Sequence, residues 1–218
     1  PVAHSFPTRR SSDLRILDDQ GKITAIVNNY EKMSFNFGPT LLSWMEYHAP
    51  DVYEAILEAD YNSIKRFSGH GSAIAQAYNH MILPLANSRD KHTQVLWGIR
   101  DFESRYGRKP EGMWLPETAV DMESLQIMAE LGIVFTILAP YQVAGVRKTG
   151  QKEWRDVRGG EIDPKRTYVQ RLASGKSIAV FFYDGPISRA VAFENLLRNG
   201  EGFARRLADG FVDRDEDQ

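Results

Sequence analysis

The chain has 218 residues, 42% hydrophobic and 26% charged, with a formal net charge of −2 and no cysteine. This is the composition of an ordinary globular protein, long enough for one barrel-sized or doubly wound domain or for part of a larger one. It excludes a disulfide framework, a thiolate zinc site and a cysteine nucleophile, it offers no basic field to a phosphate backbone, and it holds no apolar run long enough to span a membrane. Neither nucleic acid nor a membrane is therefore expected as a partner. No cofactor and no metal are expected, and the expected location is cytoplasmic.

Ser5 to Leu14, SFPTRRSSDL, has neither a signal peptide's apolar core nor a core-facing period. It resembles a translated sequencing adapter, so residues 1–14 are set aside as a processing scar and expected to be disordered. Arg15 to Val27 reads as a hairpin around a DDQG turn. Ser34 to Phe37 is a short strand candidate ending at Gly38-Pro39. Pro39 suits a first helical position, with Leu41, Leu42, Trp44 and Met45 as the apolar side. Pro50 opens a second helix through Tyr53, Ile56 and Leu57 toward Phe67. The small-residue run 69–77, GHGSAIAQA, fits a strand or a turn into a helix. Met81 to Leu85 is apolar but interrupted by Pro84.

Ser88 to Tyr106 gives the clearest helical period, with Val95, Ile99, Phe102 and Tyr106 on one stripe. Ser88 is the N-cap candidate and Gly107 the stop. Arg105, Arg108 and Lys109 read as a solvated helix end. Residues 111–140, EGMWLPETAVDMESLQIMAELGIVFTILAP, then read as strand, carboxylate, helix, strand. That order is a βαβ unit, and in such units functional groups gather at the carboxyl ends of the strands. Tyr141 to Pro164 is a polar excursion. Thr167 to Leu172 and Ser177 to Tyr183 form a second hairpin whose apolar strand SIAVFFY is expected to be central. Helices are expected over Ser188 to Arg198 and Glu201 to Phe211. The closing charge run VDRDEDQ reads as a solvated tail. The chain is expected to be a fragment of a longer reading frame.

Two carboxylates share one context. Glu117 follows MWLP and Asp184 follows AVFFY, each ending an apolar strand ahead of a helix. Paired carboxylates at strand ends are what glycosidic bond cleavage requires, one at the sugar carbon and one handling the proton. The neighbouring rings of Trp114 and Tyr183 suit a sugar's apolar face. The plainer alternative is that each carboxylate caps its helix or pairs with an arginine. His48 and His92 read as helix-surface residues. His70 and His80 flank the small-residue run and suit hydrogen bonding in a polar pocket. No metal-binding histidine spacing is present, and Ser72 lies in neither a phosphate loop nor a nucleophile elbow.

Several stretches together resemble the family 57 glycoside hydrolases, most closely the branch with a further C-terminal domain of unknown function. They are SFNFGPTLLSWM at 34–45, GHGSAIAQAYNHMILPLAN at 69–87, WGIRDFESRYGRKPEGMWLPETAVD at 97–121, GIVFTILAPYQ at 132–142 and FFYDGPISRAVAFENLL at 181–197. The resemblance implies an α/β fold, part of a (β/α)7 barrel running from residue 15 to 218. It implies a retaining hydrolase or glucanotransferase of amylase, 4-α-glucanotransferase or branching type, acting on α-glucan poly- or oligosaccharides.

Glu117 stands where the family's W-L-x-E motif has its nucleophile, and His80 stands at the histidine of its Y-x-H-P-I-L-P-L region. The resemblance thus groups Glu117 as catalytic with His70, His80, Trp114, Tyr183 and Asp184 as substrate-binding residues. This sequence departs from the family in three places. The motif with histidine near Gln-Pro is absent, residues 69–76 lack a glutamate, and Asp184 sits in DGPIS where the family has a DGE-type motif. The acid/base is therefore expected beyond Gln218, and these 218 residues alone are expected to be inactive. Two other readings stand beside this one. A degenerate barrel that only binds carbohydrate would keep Glu117 as a hydrogen-bonding group. A deacetylase-like metal enzyme is disfavoured because histidine and aspartate do not cluster.

Overall fold

A computed structural model describes residues 13–210, and the chain divides into two compact units, residues 1–133 and 134–218. In the first unit, β1 (Asp13–Leu17) and β2 (Ile23–Asn28) form an antiparallel hairpin. Its turn is held by Asp18, whose Oδ1 accepts from the amides of Gln20 at 3.0 Å and Lys22 at 2.8 Å. β1 begins at Asp13, so backbone pairing reaches two residues into the stretch set aside as a scar. Residues 1–12 and the closing charge run lie outside the described residues.

The remainder of this unit alternates strand and helix. α1 (Pro39–His48) and α2 (Pro50–Arg66) each start on a proline, whose missing N–H costs nothing at a helix start. α1 turns Leu42 and Met45 inward and leaves Leu41 and Trp44 exposed. α2 buries Ala55, Ile56, Ala59, Asp60 and Ser63 along one stripe. The small-residue run resolves into extended backbone. Phe35 bridges Ala73 in parallel, and β3 (Ala75–Gln76) pairs in parallel with β4 (Gly112–Trp114), Ala75 opposite Met113 and Gln76 opposite Trp114.

α3 (Ser88–Tyr106) packs so closely on β3 that a Cβ on Gly98 would overlap the Gln76 carbonyl oxygen. Its N-cap is Asn87, one residue before the predicted Ser88, because the Asn87 side chain accepts from the Asp90 amide at 3.0 Å. Gly107 ends it in left-handed backbone at φ 66°. α4 (Met122–Glu130) follows β4 and buries Leu125, Ile127 and Met128. Leu42, Ile56, Leu83, Val95, Met113, Leu115 and Met128 are all 0–2% exposed. Each contributes about 1.5–3 kcal/mol relative to an exposed side chain.

In the second unit three strands lie side by side. β5 (Phe135–Leu138) lies parallel to β9 (Ser177–Phe182), which is flanked on its other edge by antiparallel β8 (Tyr168–Arg171). β9 is thus the central strand of the three, as the sequence predicts. It buries Ile178, Val180 and Phe182 on one face. The excursion folds its own small hairpin, β6 (Gly145–Val146) with β7 (Arg155–Asp156). α5 (Gly185–Phe193) starts three residues earlier than predicted, and α6 (Gly200–Asp209) follows a short 3-10 turn at Leu196–Arg198. Among the described residues no helix is long and apolar enough to cross a membrane.

Candidate active site

In the first unit the parallel strands give the site two distinguishable ends. The amino end is occupied by a buried ion network. Asp60, 1% exposed, takes two bonds from the Arg108 guanidinium, 2.8 Å from Nε and 2.7 Å from Nη2, and one from the Ala73 amide at 2.7 Å. Arg108 also donates to the Ala73 carbonyl at 2.8 Å and lies over the Phe102 ring. A Cβ on Gly71 would overlap that guanidinium, which is why glycine stands there.

Arg105 is likewise a hub. It donates to Asp101, Glu46, Tyr53 and Ser43 and so joins α1, α2 and α3. Arg105 and Arg108 are therefore not a solvated helix end. Each guanidinium fork is filled by partners that helical periodicity cannot show.

His70 belongs to this amino end. It precedes β3, and its Nδ1 lies 2.7 Å from Oε1 of Glu111, the residue before β4. The structure therefore does not bring His70 together with His80. Ten residues apart in sequence, the two histidines lie before and after the same short strand.

At the carboxyl end the polar groups are open. Glu117 follows β4 in a turn, Pro116–Thr118, closed by bonds from the Thr118 amide to the Leu115 carbonyl at 2.9 Å and from the Ala119 amide to the Pro116 carbonyl at 3.0 Å. Glu117 and Thr118 both have left-handed backbone, φ 54° and 53°. Two adjacent non-glycine residues of this kind cost about 1–3 kcal/mol each, and such strain gathers at functional sites. The Glu117 side chain is exposed, and no hydrogen bond or ion pair of its carboxylate is present among the described residues. It does not cap α4. That task falls to Asp121, whose Oδ1 accepts from the Ser124 amide at 2.8 Å.

Trp114, half-buried, ends β4 on the same face as its partner Gln76. The Gln76 side chain accepts from Asn36 Nδ2 at 2.7 Å, and Asn36 directly follows the bridged Phe35. Asn36 and Gln76 are thus carboxyl-end residues that the sequence reading passed over. Gln76 follows the short apolar run Ala73-Ile74-Ala75, a signal of the same kind as that at Glu117, whereas Asn36 lies within the strand candidate Ser34 to Phe37 and carries no such mark. His80 is exposed and left-handed at φ 55°, its amide bonded to the Ala77 carbonyl at 3.0 Å. It follows β3, on the same end as Glu117.

One buried charge stands beside this turn. Lys91, on α3, is 4% exposed at its side chain, and its Nζ lies 2.5 Å from Asp121 Oδ2 and 2.6 Å from Glu123 Oε2. The Asp121 bond, ahead of that from Glu123, holds the ammonium above its ordinary range. Burial alone would raise Asp121. The Lys91 bond and the Ser124 contacts outweigh it and hold that carboxyl below its usual range. The Lys91 bond likewise lowers Glu123.

In the second unit Tyr183 and Asp184 follow β9 at its carboxyl end. The Tyr183 amide bonds the Leu138 carbonyl at 3.2 Å. Asp184 is the N-cap of α5, its Oδ1 accepting from the Ile187 amide at 2.8 Å. The capping alternative therefore holds for Asp184 and fails for Glu117. Among the described residues no three His, Asp or Glu side chains converge to hold a metal ion.

The model of glycosyl hydrolase family 57 matches residues 15–214. This chain belongs to glycosyl hydrolase family 57. Alpha-amylase 1 of Dictyoglomus thermophilum is 26% identical over 107 residues, which is 49% of this chain and 15% of that protein. Two solved structures share the fold. A 4-alpha-glucanotransferase from Thermococcus litoralis has a TM-score of 0.59 and 21% identity, covering 86% of this chain and 26% of its own. An exo-type maltose-forming amylase from a Pyrococcus species has a TM-score of 0.62 and 23% identity, covering 83% and 27%. The chain thus spans about a quarter of those two structures. At these identities they speak for the mixed α/β fold alone.

Proposed function

We propose that this chain carries the nucleophile half of a retaining α-glucan-acting site, of hydrolase or glucanotransferase type, built on part of a (β/α)7 barrel. The observation that carries the reading is Glu117 itself. It is a solvent-facing carboxylate at a strand's carboxyl end, on strained backbone, relieved of helix capping by Asp121. α-Glucan is the substrate class named in the glucanotransferase relative, and the amylases point the same way. The barrel reading draws on the strand–helix alternation of the first unit and on the same likenesses.

In this reading a Glu117 oxygen forms a bond to the anomeric carbon as the glycosidic carbon–oxygen bond breaks, and the leaving oxygen takes a proton from an acid. Water then displaces Glu117 in hydrolysis, or a sugar hydroxyl does so in transfer, giving up a proton to the same group. Trp114 offers a ring to the sugar's apolar face, and His80 a hydrogen-bonding edge to its hydroxyls. Asp184 Oδ1 is committed to α5, so we assign it no proton transfer, and we propose that the 218 residues alone do not turn over glucan.

An activated α-glucosyl fluoride carrying a second ring fluorine tests the nucleophile, because fluoride departs without help from an acid. The expected result is a glycosyl mass increment on the peptide containing Glu117, absent in Glu117→Gln. Sugar release from amylose should stay at the Glu117→Gln background. Labelling elsewhere, or none, with retained oligosaccharide binding would favour the binding-only barrel. Sugar release abolished by Glu117→Gln would overturn the proposed inactivity and leave the nucleophile in place.

A further inference from the structure

We infer that Lys91 is a positioning residue for Glu117, and that its clamp on Asp121 and Glu123 fixes the turn on which that carboxylate stands. The inference rests on the reading of Glu117 as nucleophile, and the test below separates the two. Lys91 lies four residues before Val95 on the buried stripe of α3, a position where periodicity calls for an apolar side chain. Burying an ammonium between two carboxylates is not required for stability, since well-packed apolar replacements of such groups are often neutral or better. What the clamp supplies is geometry.

Asp121 uses both oxygens. One receives the Ser124 amide and so sets the first turn of α4, and the other receives Lys91. The carboxylate cannot rotate without losing one of them. The segment carrying Glu117 is therefore held at both ends. Gln76 opposite Trp114 fixes its entry from β4, and Lys91 fixes its exit at Asp121. Two strained residues, Glu117 and Thr118, lie between these anchors. Strain persists only where the surroundings over-determine it. Lys91 also sits in the early part of α3, which follows the loop bearing His80. One side chain thus ties the turn after β4 to the helix that follows β3.

The test compares the whole chain with Lys91→Met, which keeps much of the aliphatic stem, and with Lys91→Arg, which can still donate to two carboxylates. The first readout is the rate of Glu117 labelling by the fluorinated glucosyl fluoride. Lys91→Met should slow it by about ten- to hundredfold, since small misplacements of a reacting group cost on that order. Lys91→Arg should recover most of the loss. The second readout is amide exchange. In Lys91→Met the Thr118 and Ala119 amides should exchange about tenfold faster, beyond any change at Val95 and Ile99.

Unchanged labelling in Lys91→Met overturns the inference. So does equal acceleration at all four amides, which would mean general loosening, and so does failure of Lys91→Arg to recover. If the wild type shows no labelling at Glu117, the nucleophile reading fails by itself. The exchange comparison then decides the clamp alone, and identical Thr118 and Ala119 exchange in Lys91→Met and wild type refutes it.

Discussion

Glu117 and Asp184 stand in the same sequence context, and the structure puts them to different uses. Each ends an apolar strand and precedes a helix. Asp184 caps α5 directly, and its neighbour Gly185 is already the first residue of the helix. Between Glu117 and α4 lie Thr118, Ala119, Val120 and a second carboxylate, Asp121, which does the capping. Four added residues leave Glu117 with no structural duty, and the turn that inserts them holds Glu117 itself and Thr118, the first of the four, in left-handed backbone. A strand-end carboxylate is thus a candidate for chemistry when another residue has already satisfied the helix start.

The most severe way to break this comparison is to exchange the chemistry at both positions. Glu117→Gln should abolish glycosyl labelling, and Asp184→Asn should leave it within about twofold of wild type, because asparagine caps as well as aspartate. Peptide mass measurement on both variants checks this. Equal loss in both would return Asp184 to the reaction.

The second contrast is between the two ends of the parallel strands in the first unit. The amino end is closed by Asp60 and Arg108, with both charges satisfied and little exposed. Asp60→Ala removes one partner and strands the guanidinium beside the Ala73 carbonyl, so it should cost about 3–5 kcal/mol. Denaturant unfolding would show it as a lower midpoint. Glu117→Gln, at the open end, should leave that midpoint within about 0.5 kcal/mol. If both variants were equally destabilised, Glu117 would be structural and the division of labour between the ends would fail.

That division also marks what could be read without a structure. Apolar period and turn residues located nearly every element, because α1, α2 and α3 announce their limits by Pro39, Pro50 and Gly107. Long-range partners are what periodicity cannot see. Arg105 and Arg108 look like any basic helix end until Glu46, Tyr53 and Asp60 arrive from distant segments. His70 and His80 look alike in sequence, and only the register of β3 against β4 places them on opposite ends. The α3 cap falls on Asn87 and not on Ser88, because two adjacent side chains can both play that part and only the fold selects between them. Lys91 continues the buried stripe of α3 one turn before Val95, a place the sequence reading does not single out, and its partners Asp121 and Glu123 stand thirty or more residues on.

A pH series sharpens the role of that charge. Asp121 and Glu123 have folded-state carboxyls held below their unfolded values. They therefore add stability that is present above the unfolded range, near pH 4, and lost as pH falls through the lower folded range. Lys91 is raised, so its contribution is present below about pH 10 and lost only in more alkaline solution. Near neutral pH all three contribute. Thermal melts from pH 7 to pH 3 should fall more steeply for wild type than for Lys91→Met, whose carboxyls return toward ordinary values. Parallel curves would mean that the clamp contributes nothing to the acid dependence.

The smallest expected effect isolates the capping role on which the opening contrast depends. Asp184→Ala removes the acceptor for the Ile187 amide and should destabilise by about 1 kcal/mol, whereas Asp184→Asn keeps the acceptor and should cost a few tenths at most. For Asp121 the same pair of substitutions should separate differently. Asp121→Asn keeps an acceptor for Ser124 but gives up the charge that Lys91 faces, so it should cost more than Asp184→Asn does. Urea midpoints for the four variants read this directly. The ordering matters more than the sizes. If asparagine serves equally at both positions, both aspartates are helix caps and nothing more. If asparagine fails only at Asp121, its carboxylate serves two partners, α4 through Ser124 and α3 through Lys91, and Glu117 stands free because Asp121 does not.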